Sequence, residues 1–287
     1  MRRSPVIRRF GHGRLHLQDG PIDLIVEAFG ADVEIDRAYR AAGSRFITIL
    51  DELCSELPLL RSAVDRNTPP RGVIARRMWD AVMPFSGETF ITPMAAVAGS
   101  VAEEVLGAMT AAAELRRAYV NNGGDIALAL APEETIRIGM VDRPDQPSMF
   151  GSLFIAADQP VRGIATSGWR GRSFSLGIAD AVTVLADSAA MADAAATIIA
   201  NAVDLPGHAA IERRPAIELA PQNDLGERLV TVAVGALTTA EIDRALAQGC
   251  KAAEICLERQ LIRAAALHLG GRTQQVEGGS VLQIRAA

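Results

Sequence analysis

An α+β fold is what this sequence predicts, and three observations predict it. Apolar residues recur at three- and four-residue spacing over long stretches, the signature of core-facing helices. Short apolar or alternating runs, bounded by turn residues, crowd the second half of the chain. Those runs follow one another instead of alternating regularly with helices, which argues against a βαβ winding. No Pro/Gly/Ser linker and no internal repeat divides the chain. One domain over residues 1–287 is therefore expected, with 1–10 as a flexible basic arm that carries Arg2, Arg3, Arg8 and Arg9.

Each element has its own signal. Arg14–Gln18 and Ile22–Phe29 alternate apolar and polar residues around Asp19-Gly20-Pro21, which reads as a hairpin. Ala38, Ala42, Phe46, Ile49, Leu50, Leu53 and Leu57 lie at helical spacing, so one long helix is expected from Asp32 towards Arg61, ending before Pro58. A short helix follows at Val73–Met83. Thr92-Pro93 reads as an N-cap and first helical proline opening a helix to about Ala113. Strands are expected at Asp125–Leu130, Thr135–Val141, Ser152–Ala157, Gly163–Thr166 and Ala181–Leu185, then a helix from Ser188 to Val203. Strands at Pro215–Leu219 and Leu229–Val234 precede a last helix, Thr239 to Leu269, stopped by Gly270-Gly271.

Composition narrows the function. With 49% hydrophobic and 22% charged residues the chain is an ordinary globular protein and not a disordered one. A net charge of -5 and only 4% aromatics argue against a nucleic-acid binder, which needs basic surface and stacking rings. No apolar stretch reaches the ~18 residues of a membrane span, and the basic start is not followed by a signal-peptide core. A cytoplasmic protein is expected. Cys54, Cys250 and Cys256 form no C-x-x-C pattern and fit free thiols. The four histidines show no zinc-site spacing.

Three segments could carry chemistry. In Ser188–Asp204, the residues Asp193, Thr197 and Asn201 share one helical stripe, and no long charged side chain precedes Asp204. A carboxylate and a hydroxyl one turn apart can supply two oxygens to Mg²⁺; a small-residue helix whose polar stripe is satisfied by neighbouring backbone is the other reading. Thr166-Ser167-Gly168-Trp169-Arg170-Gly171-Arg172 ends a strand with hydroxyls, glycines and arginines that suit an anion such as phosphate, or equally an exposed hairpin tip. Asn122-Gly123-Gly124-Asp125 reads as a tight helix-to-strand connection, with Asp125 either a turn anchor or a site residue. No nucleophile elbow, Walker loop or paired-acid spacing appears, and no catalytic residue is assigned.

In this order, the segments resemble the ApbE-like superfamily, whose characterised members are FAD:protein FMN transferases. The matching residues are Tyr119-Val120-Asn121-Asn122-Gly123-Gly124-Asp125-Ile126, Ile164-Ala165-Thr166-Ser167-Gly168, Ala181-Val182-Thr183-Val184 and Ala192-Asp193-Ala194-Ala195-Ala196-Thr197. The resemblance implies a single α+β domain related to the T-fold enzymes, with magnesium on Asp193 and Thr197. It implies FAD or FMN as ligand, with Asn122, Gly123, Gly124, Asp125, Thr166, Ser167, Gly168 and Arg170 as cofactor-binding residues. Two departures stand out. Ala98-Gly99 occupies the place of the transferases' Lys-Gly pair, and Ser173–Asp180 lacks the histidine of their H-I-I-D-P segment. The chain thus looks like the soluble branch of the superfamily, which occurs in archaea and in bacteria with tetrahydromethanopterin-linked one-carbon metabolism. A ligand-binding or biosynthetic protein of that metabolism, taking a pterin, is the alternative. The long alanine-rich helices could pair between subunits, which makes a homo-oligomer an expectation too.

Overall fold

The computed structural model describes residues 4–87, 89–141, 149–278 and 285–286. In chain order the elements are β1 (Val6–Arg9), β2 (Leu15–Asp19), β3 (Ile22–Phe29), α1 (Asp32–Ser55), α2 (Leu57–Leu60), α3 (Val73–Val82), α4 (Val97–Ala112), β4 (Arg117–Asn122) and β5 (Asp125–Leu130). They continue as β6 (Thr135–Val141), β7 (Met149–Ala156), β8 (Gly163–Ser167), β9 (Ala181–Ala186), α5 (Ala189–Ala202), β10 (Ile211–Pro215), α6 (Ala216–Leu219) and β11 (Leu229–Val234). The last are α7 (Thr239–Glu258), β12 (Ala264–Leu269), β13 (Arg272–Glu277) and β14 (Arg285–Ala286). The fold is α+β, as the sequence predicts; of the mixed or antiparallel sheet that reading allows, the structure has antiparallel pairs.

The chain divides into two compact units. The first comprises Met1–Thr135, Ala156–Ile164 and Asp187–Asp193. Its sheet runs β1-β2-β3-β4-β5, and Gly163 and Ile164 at the start of β8 pair with Ala127 and Ile126. Alternation sends Leu15, Leu17, Leu24, Val26, Ala118 and Val120 to one buried face. Ala38, Ala42, Phe46 and Ile49 of α1 and Val101, Val105 and Met109 of α4 are buried beside them. Val6–Arg9 lies inside the expected basic arm, yet it pairs along β2 as an exposed edge strand.

The second unit comprises Ile136–Ile155, Ala165–Ala186 and Ala194–Ala287. Here β9 pairs antiparallel with β12, and β12 with β13. Helix α7 packs on β12 and β13, its entry fixed by a reciprocal capping box between Thr238 and Glu241. Strands β10 and β11 form a separate ribbon.

Several expectations need correction. The last helix ends at Glu258 and not at Leu269: Gln260 adopts a left-handed φ of 58°, and Ala264–Leu269 is a strand. All six residues of β12 are buried, so the alternation that marks a strand is missing and its alanines read as helix. Gly270-Gly271 is therefore a hairpin turn into β13, with both glycines at positive φ. Pro215 ends a strand, and Ala216–Leu219 is a helical turn. Thr92 makes no side-chain cap; Pro93–Ala96 is a 3₁₀ turn and α4 begins at Val97. Asn122–Asp125 is the turn of a β-hairpin, because Arg117–Asn122 is strand and not the end of a helix.

By length and composition Pro93–Ala112 is apolar enough to cross a bilayer, contrary to the reading of the sequence. Core helices pass the same test, and its two acids, Glu103 and Glu104, are ion-paired with arginines inside the first unit.

Candidate functional site: two carboxylates at a helix crossing

In the first unit, α4 and the start of α5 meet at Gly99. A Cβ on Gly99 would lie 2.2 Å from the Ala189 carbonyl oxygen, so only glycine allows the backbones this close. Gly163 presses on the other side, where a Cβ would stand 2.1 Å from the Ser188 carbonyl. Each helix has early N–H groups that need acceptors. On α5, the Ser188 hydroxyl accepts from Met191 N–H at 3.2 Å, and Glu103 of α4 accepts from Ala190 N–H at 2.9 Å. On α4 the N-cap position is Ala96, whose methyl group offers no acceptor. Asp193 of α5 fills the gap: its carboxylate accepts from Gly99 N–H at 3.0 Å and from Ala98 N–H. The two helices thus cap one another.

The hairpin turn joins this corner. Asn122 is buried and donates from Nδ2 to the Ala98 carbonyl at 3.2 Å. The Asn121 side chain accepts from Gly124 N–H at 2.8 Å, and Gly123 and Gly124 both take positive φ. Asp125, paired with Asn122 across the turn, is close enough for its charge to act on Asp193. Burial, and then Asp125, hold the Asp193 carboxyl well above the usual range, against the opposing pull of the Gly99 and Ala98 amides. Asp193 as a whole is part-buried. No described lysine or arginine pairs with it. Two carboxylates gathered at such a place call for a proton or a hard cation.

In the second unit, the end of β8 is arranged differently. The Thr166 and Thr183 hydroxyls share a hydrogen bond at 3.0 Å. Gly168 lies against Asp180, where a Cβ would come within 2.4 Å of its carbonyl oxygen, and Trp169 N–H donates to the Ala179 carbonyl. Arg170 lies over the Trp169 ring at 4.3 Å and donates from Nε to Asp180 Oδ1 at 2.8 Å. Asp180 also accepts from Gly270 N–H at 2.7 Å. The guanidinium proposed for an anion is thus partly used inside the protein. The Trp169 indole N–H is buried and has no acceptor among the described residues. Thr197 is part-buried on α5. Asn201, the third residue of the stripe, is structural: its Oδ1 accepts from Leu176 N–H at 2.9 Å and from the Ser175 hydroxyl.

The expected site residues therefore fall into two groups. Asn122, Gly123, Gly124, Asp125 and Asp193 come together in the first unit; Thr166, Ser167, Gly168, Arg170 and Thr197 belong to the second. Glu103 and Asp180 were not anticipated. Glu103 had a signal, since Glu103 and Glu104 are the only charged residues of α4.

The sequence matches the family model described as "AbpE bacteria" over residues 7–275. The chain belongs to that family. Among its relatives are UPF0280 proteins of Methanosphaerula palustris, 38% identical over 157 residues, and of Methanopyrus kandleri, 37% identical over 128 residues. The first match covers 54% of this chain and 63% of the relative, the second 45% and 48%. The chain thus spans about half to two thirds of the length of these relatives. Among solved structures, the flavin transferase ApbE from Vibrio cholerae aligns over 96% of this chain and 99% of its own, at 13% identity and a TM-score of 0.40. The Pseudomonas stutzeri flavinyl transferase ApbE in its apo form aligns over 96% and 95%, at 12% identity and a TM-score of 0.36. Those values are too low to transfer any property. No group of three or more His, Cys, Asp or Glu suited to a metal occurs among the described residues of this family member.

Proposed function

We propose that this AbpE-family protein is a Mg²⁺-dependent enzyme acting on a flavin nucleotide or a similar phosphate-bearing ligand. The observation that carries the reading is the Asp193 carboxylate, raised in pKa beside Asp125 and without a cationic side chain. Such a group fits a hard cation. Asp193 and Thr197, one turn apart on α5, would hold it, with backbone, water or phosphate oxygens completing the six ligands Mg²⁺ takes. Held there, it would supply positive charge against phosphoryl oxygens. Each unit has groups of its own to offer. Asn122 fixes the hairpin turn against Ala98, keeping Asp125 beside Asp193. Thr166, Ser167 and Gly168 offer a hydroxyl-rich strand end, and the unsatisfied Trp169 N–H supplies a donor for a ligand oxygen. Arg170, steadied by Asp180, has its remaining N–H groups for a phosphate.

The test is incubation of the purified protein with FAD and Mg²⁺, followed by chromatography for FMN and AMP. Turnover that is lost in Asp193→Asn supports the reading. Absence of AMP, or undiminished turnover in that variant, overturns it.

The Arg170–Asp180 pair supports a second reading, a pterin-binding or biosynthetic protein of one-carbon metabolism, because it leaves less positive charge for a phosphate. Native mass spectrometry of the protein as purified separates the two: a retained flavin favours the first, a retained pterin the second.

A further inference from the structure

We propose that Glu103 is a positioning residue that sets the place of the Asp193 carboxylate by anchoring the first turn of α5. The inference rests on Asp193 being a cation ligand.

The first turn of α5 has little else to hold it. Ala189, Ala190 and Ala192 are buried, but each offers only a methyl group, and Gly99 and Gly163 meet the backbone of Ser188, Ala189 and Ala190. Such a surface fixes the distance between backbones and leaves rotation and sliding of the helix weakly resisted. The bond from Ala190 N–H to Glu103 Oε1, 2.9 Å, is directional and ties α5 to α4 three residues before Asp193. Asp193 then meets Gly99 N–H, four residues before Glu103. The two bonds form a closed loop between the helices, so the carboxylate is located by its own bond and by the Glu103 bond together.

Glu103 is itself held. Arg77 of α3 reaches its other oxygen with Nε at 3.2 Å, and also donates to Glu104 Oε2 at 2.9 Å and to the Ser100 carbonyl at 3.1 Å. Glu104 accepts from Arg45 of α1 at 2.7 Å, and Arg45 grips both oxygens of Glu52 at 2.7 Å. Burial pushes the Glu104 carboxyl up, but its bonds to Arg45 and Arg77 outweigh that and hold it below the ordinary range. The order Glu52–Arg45–Glu104–Arg77–Glu103 alternates in charge across three helices and ends on an N–H of a fourth. Among the described residues, only its last member hydrogen-bonds to α5.

The experiment compares wild type, Glu103→Ala, Glu103→Gln and Glu104→Gln by calorimetric titration with MnCl₂, alongside hydrogen exchange at the Ala190 amide. Glu103→Ala should weaken Mn²⁺ binding about tenfold or more, as loss of an outer partner of a ligand does, and should speed exchange at Ala190. Glu103→Gln keeps an acceptor oxygen and should recover part of both. Glu104→Gln, in the same network but off α5, should lower the melting temperature and leave Mn²⁺ affinity within about threefold of wild type (under about 0.7 kcal/mol). Should Glu103→Ala fail to fold, Glu103→Gln alone must show weakened binding that Glu104→Gln does not. Equal affinities in wild type and the Glu103 variants overturn the positioning role and leave the cation reading standing. Absence of Mn²⁺ binding in wild type overturns both.

Discussion

Two aspartates in this molecule do the same mechanical task in opposite electrostatic settings. In the first unit, Asp193 accepts backbone N–H groups from Ala98 and Gly99, and no described cation sits on it. In the second, Asp180 accepts Gly270 N–H and also holds the Arg170 guanidinium. Both tie one element to another. Of the two, only Asp193 has no cationic partner among the described residues, and a second carboxyl group, that of Asp125, acts on it. Geometry alone would call both structural. The difference in charge compensation is what singles out Asp193 as a place for a ligand.

The largest effect tests the scaffold on which the comparison stands. Gly99→Ala should cost about 3 kcal/mol, because the added carbon meets backbone and not a movable side chain. Gly177→Ala in the second unit, where a Cβ would come within 2.1 Å of the Ala200 carbonyl, should cost a similar amount. Denaturant melts of both variants check this, and a loss under about 1 kcal/mol would mean that backbone does not meet backbone at that glycine.

Next come the aspartates themselves. Asp180→Asn should destabilise by about 1–3 kcal/mol, since Arg170 loses its charged partner in a largely enclosed place. Asp193→Asn should have the opposite sign in EDTA at neutral pH: the variant keeps an acceptor for Gly99 N–H and removes the charge. Its raised carboxyl makes the native protein hold a proton longer than the unfolded chain, so the wild type should lose stability as pH rises from the ordinary aspartate range through that raised value. The asparagine variant should not. Equal signs for the two substitutions would break the comparison.

How much of this is legible in the sequence follows from what each region offers. The hairpin β2–β3 reads directly, because half-buried strands alternate. Strand β12 does not, because both its faces are buried and three consecutive alanines carry no periodic signal. Thr197 and Asp193 are visible as a stripe on α5, yet spacing alone says nothing of Glu103 or the Ala98 and Gly99 amides, which reach the site through tertiary contact. Arg170 reads as an anion ligand in the sequence; its engagement by Asp180, ten residues on, depends on the turn that brings them together. Glu104 and Glu103, two acids in an apolar helix, are the one clue that the sequence held and that only partner identities could decode.

The smallest effect concerns a third acid, fully compensated. Glu241 accepts from the Thr238 N–H, from His208 and from the Thr238 hydroxyl, which together lower its pKa from 4.5 to about 2. A depressed carboxyl stabilises the fold above its ordinary value, and that contribution fades as pH falls from 4.5 towards about 2. Glu241→Gln should flatten the acid side of a melting-temperature profile slightly, being solvent-screened. An unchanged slope would remove Glu241 as a contributor.

The central claim, that the uncompensated carboxylate of Asp193 receives a hard cation, is tested most directly by soaking crystals in MnCl₂ and collecting data at the manganese edge. The account predicts an anomalous peak about 2–2.3 Å from an Asp193 carboxylate oxygen, the distance such hard cations keep from oxygen ligands. The Asp193→Asn crystal should lack it. A wild-type map with no peak at Asp193, or a peak that survives in the variant, would contradict the claim.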